Sequence, residues 1–144
     1  MNRQYEDILR DSFCDYRHGE LGIIAQTEVP VFTRSVDLVE YNINTGKLTA
    51  IEFKINDWKR AIAQLKNVEI CFDYLVLCIP KPKTQKSMEN IVNACTQDGI
   101  GLFLWDDSNN TFSHECIEKP RQEIWEITKK HIIDYVSKME AHDE

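Results

Sequence analysis

The sequence contains little of what marks fibrous, secreted or membrane proteins. Its 5 Gly and 4 Pro among 144 residues are too few for a collagen-like or low-complexity chain. Its longest apolar runs, such as residues 74–79, are far shorter than the roughly 18–20 residues that cross a bilayer. The first residues, Met-Asn-Arg-Gln-Tyr-Glu-Asp, are too polar for a signal peptide. The sequence therefore predicts one globular domain over residues 1–144, cytoplasmic and without a membrane partner.

Cysteine and histidine are also few, and they lack the spacing of a metal or disulfide site. The 5 Cys form no Cys-x-x-Cys pair and mostly lie in apolar stretches, where a reduced thiol behaves as a small hydrophobe. The 4 His show neither His-x-His nor His-Glu-x-x-His spacing. No phosphate-binding glycine loop or nucleophile triad is present. Carboxylates are therefore the main candidates for chemistry.

The charge is unevenly distributed. A net charge of −7 disfavours nucleic acid as a partner, because Lys and Arg contacts to phosphates supply most of that affinity. Residues 52–86 nevertheless carry seven basic against four acidic side chains. The best candidates for phosphate contacts in this segment are Lys59, Arg60, Lys66, Lys81, Lys83 and Lys86. The first three are predicted to bind nucleic acid, and the alternative interpretation of all six is simply solvated charge.

Hydrophobic periodicity predicts a mixed α/β chain. Helical spacing alternates with period-two and continuous apolar runs, and an Asn-Thr-Gly turn joins the second and third strands as a hairpin. Trp58 lies on an apolar helical stripe, which predicts a packing role. The predicted helices are 4–16, 57–68, 87–96 and 123–139, and the predicted strands are 22–32, 35–42, 47–55, 74–79, 100–105 and 111–117.

The hairpin places two carboxylates and a lysine near one another. In the strand that contains Ala-Ile-Glu-Phe-Lys-Ile, the period of two predicts Glu52 and Lys54 on one face. A turn near residues 45–46 predicts that Asp37 lies beside Lys54 and diagonal to Glu52. Two close carboxylates suit Mg²⁺ or Mn²⁺, with the remaining positions filled by water and phosphate. The same spacing equally fits a cross-strand salt bridge on a solvated face.

The wider pattern resembles the PD-(D/E)XK nuclease superfamily. Ser-Val-Asp-Leu-Val and, after a turn, Ala-Ile-Glu-Phe-Lys are followed by an amphipathic helix and a buried strand, and the resemblance covers about residues 5–105. It implies a restriction-endonuclease-like αβββαβ core, with a mixed central sheet flanked by helices, followed here by a C-terminal helix. It also implies that Asp37 and Glu52 bind metal and that Lys54 is catalytic.

Two further positions match the superfamily less specifically. Gln64 resembles a catalytic-site glutamine that many members carry in the helix after the motif, and Glu6 lies where some members add an acidic metal ligand. A polar helix edge and an ordinary solvated helix residue are their alternative interpretations. Val36 replaces the signature proline, and Val68 stands where one subfamily has tyrosine.

The function implied by the resemblance is hydrolysis of phosphodiester bonds in DNA through a metal-activated water. A homodimer is a further expectation, since members that cut two strands often act as dimers. The alternatives are a catalytically inactive protein of the same fold that binds nucleic acid or another protein, and a different metal-dependent phosphoesterase.

Overall fold

A computed structural model describes residues 2–17 and 21–143, which form a mixed α/β structure around a six-stranded sheet. The helices are α1 (Asn2–Arg17), α2 (Trp58–Asn67), α3 (Gln85–Asp98) and α4 (Glu126–Asp143), and the strands are β1 (Ile23–Val31), β2 (Arg34–Asn42), β3 (Lys47–Phe53), β4 (Tyr74–Pro80), β5 (Gly101–Asp106) and β6 (Thr111–Cys116). The strands follow chain order across the sheet. Strands β3, β4 and β5 are parallel, and the other pairs are antiparallel. The predicted mixed sheet flanked by helices is confirmed.

Two hydrophobic cores form on opposite faces of the sheet. Helix α1 packs Leu9 and Phe13 against one face, where the Phe13 ring meets Phe53 edge-on with ring centroids 5.6 Å apart. Helices α2, α3 and α4 cover the other face with side chains such as Leu65, Ile91 and Val136, as well as other buried aliphatic residues. Because both faces are covered, β4 is buried along most of its length, as its continuous apolar sequence predicts.

The hairpin register differs from the prediction by two residues. The observed pairs run from Asn42↔Lys47 to Leu38↔Ile51, so the turn is centred between Asn44 and Thr45, one residue earlier than predicted. The Asn42 side chain explains this, because its oxygen accepts hydrogen bonds from the backbone N–H groups of Asn44 and Thr45 at 2.9 and 3.2 Å. By this register Asp37 lies level with Glu52 instead of with Lys54.

Element ends also differ. Strand β3 ends at Phe53, two residues before the predicted end, because the backbone N–H of Ile55 donates to Glu6 Oε2 at 3.4 Å instead of to a strand. Helix α3 begins two residues early, with Thr84 as its N-cap. Within the described residues, no helix is long and apolar enough to span a membrane.

Candidate active site

A backbone irregularity in β1 and β2 positions Asp37. The ladder includes Thr27↔Leu38 and Val29↔Val36 but lacks a Glu28↔Asp37 pair, and Glu28 has a φ of +52°. Val36 belongs to the core under α2, whereas Leu38 belongs to the core under α1. The regular alternation therefore fails at Asp37, whose carboxylate turns toward β3 and accepts the backbone N–H of Phe53 at 2.9 Å.

Glu52 is the buried member of the carboxylate pair. Its side chain is 5 % exposed and interacts directly with the Asp37 carboxylate. Burial raises the pKa of Glu52 far above its ordinary value, and the hydrogen bond and charge of Asp37 add to the effect. A backbone hydrogen bond from Asp37 and the charge of Lys54 act in the opposite direction but are smaller. The direction of this shift favours the protonated form of Glu52 when no cation is bound.

The other two buried carboxylates have basic partners. Arg17 donates to both oxygens of Glu40, at 2.7 and 3.2 Å, and Lys129 lies 2.8 Å from Asp73. Among the described residues, no basic group lies within ion-pair distance of Glu52. Burying a carboxylate beside another carboxylate is costly, so this arrangement needs a reason other than fold stability.

Gln64 also points to a binding site beside Glu52. It lies on α2 and lines a cavity of about 160 Å³ together with Glu52, Arg34 and Val36. Its side-chain oxygen is buried and has no hydrogen-bond partner among the described residues. Buried polar atoms are nearly always paired in folded proteins. The Gln64 oxygen is therefore an unsatisfied acceptor in the cavity that Glu52 also lines.

Lys54 and Glu6 lie in a second small cavity that contains Asp37. This space, also about 160 Å³, is lined by Glu6, Asp7, Arg10, Glu28, Asp37, Phe53 and Lys54. Lys54 has left the strand and lines this cavity with Asp37, while Glu52 lines the cavity of Gln64. Asp37 is therefore the carboxylate of the pair that shares a cavity with Lys54, and the charge of Lys54 also acts to lower the pKa of Glu52.

The donors present fit a hard divalent cation. Mg²⁺ takes few protein oxygens and keeps several waters, so Asp37, Glu52 and the unpaired amide oxygen of Gln64 form a suitable set. A cation there would offset the burial and the Asp37 charge that raise the pKa of Glu52. In residues 2–17 and 21–143, no group of three or more His, Cys, Asp or Glu side chains converges as a ready metal site. Glu6 therefore does not complete a three-acid cluster, although it lines the Asp37 cavity.

The basic residues predicted to bind nucleic acid separate into two groups. Lys59 and Arg60 are exposed in the first turn of α2, where the Lys59 ammonium lies 5.6 Å from the Trp58 ring centroid. Lys66 lies at the other end of α2, 3.7 Å from Asp98 at the end of α3. The structure therefore does not bring Lys66 together with the carboxylates.

Arg10 is a site residue that sequence reasoning missed. Its guanidinium lines the Asp37 cavity 3.4 Å from Asp7 and 3.9 Å from Glu28, and its Nε is buried without a partner in the described part of the chain. A positive charge there could hold a phosphate oxygen. The sequence signal for Arg10 was its spacing of four residues from Glu6, which places both on one helical face. The sequence gives no signal for the positive φ of Glu28, because glutamate rarely adopts one.

Comparison with known proteins shows the fold alone. No family model matches the chain, and no curated protein matches it. One solved structure, the SPO1766 protein of unknown function from Silicibacter pomeroyi, is similar with a TM-score of 0.66 and 16% sequence identity, covering 94% of this chain and 85% of that one. The chain is thus similar in fold to a protein whose function is not described.

Proposed function

We propose that this protein is a metal-dependent deoxyribonuclease with a restriction-endonuclease-like fold. The observation that carries the proposal is the buried Glu52, which contacts the Asp37 carboxylate and has no basic partner among the described residues. The order α1-β1-β2-β3-α2-β4, with an antiparallel hairpin before a parallel crossover, supports the fold assignment.

Each residue has a role that follows from its position. Asp37, Glu52 and Gln64 would hold Mg²⁺ or Mn²⁺. The bound ion would supply a Lewis acid that acidifies a water and neutralises phosphate charge. Lys54, in the cavity of Asp37, stabilises the negative charge that develops on the phosphate as the bond breaks. Arg10, which lines the same cavity, orients a phosphate oxygen.

A cleavage screen tests the function. Plasmid, linear duplex, branched and single-stranded DNA are incubated with Mg²⁺, Mn²⁺ or EDTA. We expect cleavage with either metal, none in EDTA, and none from Asp37→Asn. If no substrate is cut under any condition while DNA still binds, the protein is a nucleic-acid-binding module of the same fold. If neither occurs, the deoxyribonuclease assignment is wrong.

A second prediction concerns the route of DNA across the surface. Replacing Lys59 and Arg60 together by Gln should weaken binding to all sequences alike and reduce the slope of log affinity against log salt by about 1–2. Fluorescence anisotropy in EDTA over a salt series measures this slope. Lys66→Gln is the matched control, because Lys66 lies at the opposite end of the same helix and should leave the slope unchanged. An equal effect of both variants would place the DNA elsewhere.

A further inference from the structure

A cleft at one end of the parallel strands lies beside the carboxylate site and is not used by the proposed chemistry. It has a volume of about 830 Å³ and opens where β3, β4 and β5 end. Carboxyl ends of parallel strands are the usual ligand position in α/β sheets, and this volume is in the range of clefts that take nucleotide-sized ligands. Tyr5 and Ile55 line the cleft, while their chain neighbours Glu6 and Lys54 line the Asp37 cavity. The two spaces are therefore adjacent.

Aromatic side chains form the walls of this cleft. Trp58, Trp105 and Tyr5 all line it, and both tryptophans are half-buried. Asp107 holds two of the three rings, because it accepts the Tyr5 hydroxyl at 2.9 Å and also the indole N–H of Trp105. The Trp105 ring packs against Phe112 with centroids 4.7 Å apart. Tyr5 and Trp105 are thus held in place before any ligand arrives, which lowers the entropy lost on binding.

The rim of the cleft carries two lysines and three aspartates. Lys81 and Lys83 line it and are exposed. Of the carboxylates there, Asp106 accepts the Ser108 hydroxyl at 2.6 Å and lies 3.8 Å from Lys81, and Asp107 is occupied by the two rings. Asp57, at the start of α2, is a third. Exposed lysines above recessed aromatic rings suit a ligand with phosphates outside and flat bases inside.

We infer that this cleft binds unpaired nucleotides of a single-stranded nucleic acid, with bases against Trp58 and Trp105 and phosphates at Lys81 and Lys83. The inference rests on the proposed function, because it makes the cleft the channel that presents a strand to Asp37 and Glu52. Paired bases in a duplex are stacked on each other and cannot enter the cleft to stack on these rings. Aromatic stacking accepts any base, so the selectivity is for single strands and not for sequence.

Binding in EDTA tests the inference without cleavage. Fluorescence anisotropy compares labelled oligothymidylate of about 12 nucleotides, oligouridylate, an abasic strand and a duplex, all of equal length. We expect oligothymidylate to bind at least about tenfold more tightly than the abasic strand or the duplex. The uridylate arm assigns the ligand to DNA or RNA by whichever strand binds more tightly.

Variants locate the binding in the cleft. Trp105→Ala should weaken binding of oligothymidylate by about 5- to 150-fold, whereas Trp105→Phe keeps a ring and should lose much less. Trp125→Ala is the matched control, since Trp125 is exposed next to α4 and outside the cleft. Equal unfolding temperatures of the two Trp105 variants would show that weaker binding does not result from unfolding. If the temperatures differ, the double variant Lys81→Gln, Lys83→Gln is tested instead, and it should reduce the salt dependence of oligothymidylate affinity.

The outcomes separate this inference from the function it rests on. Equal binding of the abasic strand and oligothymidylate, or equal loss in Trp105→Ala and Trp125→Ala, would overturn the inference even if duplex DNA is cut. Tight, Trp105-dependent binding of single strands by a protein that cuts nothing would support the cleft while contradicting the nuclease. Tight binding with metal-dependent cleavage of single strands supports both.

Discussion

Glu52→Gln is expected to stabilise the metal-free protein and to abolish metal-dependent cleavage. The native state holds a proton on Glu52 that the unfolded chain releases near its ordinary pKa, because burial and Asp37 raise the pKa of Glu52 in the folded protein. The folded state thus binds more protons, so stability falls as pH rises above about 4.5. Glu52→Gln removes this pH dependence because glutamine does not ionise. The variant should exceed the wild type in free energy of unfolding by about 1–3 kcal/mol at pH 7.5 and by about zero at pH 4.5.

Thermal unfolding in EDTA at the two pH values measures this difference. Glu40→Gln is the matched control, because Glu40 is as buried as Glu52 but is paired with Arg17. It should destabilise the protein by about 1 kcal/mol at pH 7.5. In the presence of Mn²⁺ we expect the wild type to be more stable than Glu52→Gln. The variant lacks one proposed metal ligand and should lose at least about 100-fold in metal affinity. If Glu52→Gln is destabilising in EDTA, Glu52 is an ordinary structural carboxylate.

Lys54→Met is expected to remove cleavage while sparing DNA binding. Lys54 shares a cavity with Asp37, and in the proposed mechanism it acts on charge that develops only as the phosphodiester bond breaks. Single-turnover cleavage at saturating Mg²⁺ should fall by about 100- to 1,000-fold, with affinity changed by less than about threefold. Higher DNA concentration should not restore the cleavage rate of Lys54→Met. The control Lys130→Met, on the exposed side of α4, should cleave at the wild-type rate. Full cleavage by Lys54→Met would remove its assigned role.

Much of the fold followed from local patterns, because period-two and helical spacing depend on neighbouring residues alone. The αβββαβ order followed from the sequence of helical and period-two spacings. The proximity of Asp37 and Glu52 followed from the hairpin that joins their two strands. The register did not follow, because the Asn42 side chain closes the turn one residue early. The alternation of faces also failed at Asp37, where the positive φ of Glu28 interrupts the ladder.

The aromatic cleft shows a second limit of local pattern. Trp58 lies on an apolar helical stripe and packs against the core as predicted, but its ring also lines the cleft. Trp105 is the next-to-last residue of β5, which follows Trp58 in the chain only after α2, β4 and α3. Only the parallel arrangement of β3, β4 and β5 brings the two indoles to one cleft. Arg10 and Gln64 likewise reach the carboxylates from separate helices.

Calorimetric titration with Mn²⁺ at pH 7 is the most direct measurement of the central claim, that Asp37 and Glu52 together bind a divalent cation. We expect one ion to bind per chain, with release of about one proton because Glu52 must ionise to become a ligand. Titrations in buffers of different ionisation enthalpy give the proton count. Asp37→Asn should abolish the binding heat, and Asp134→Asn on the exposed face of α4 should leave it unchanged. Equal binding by wild type and Asp37→Asn, or none by either, would contradict the account.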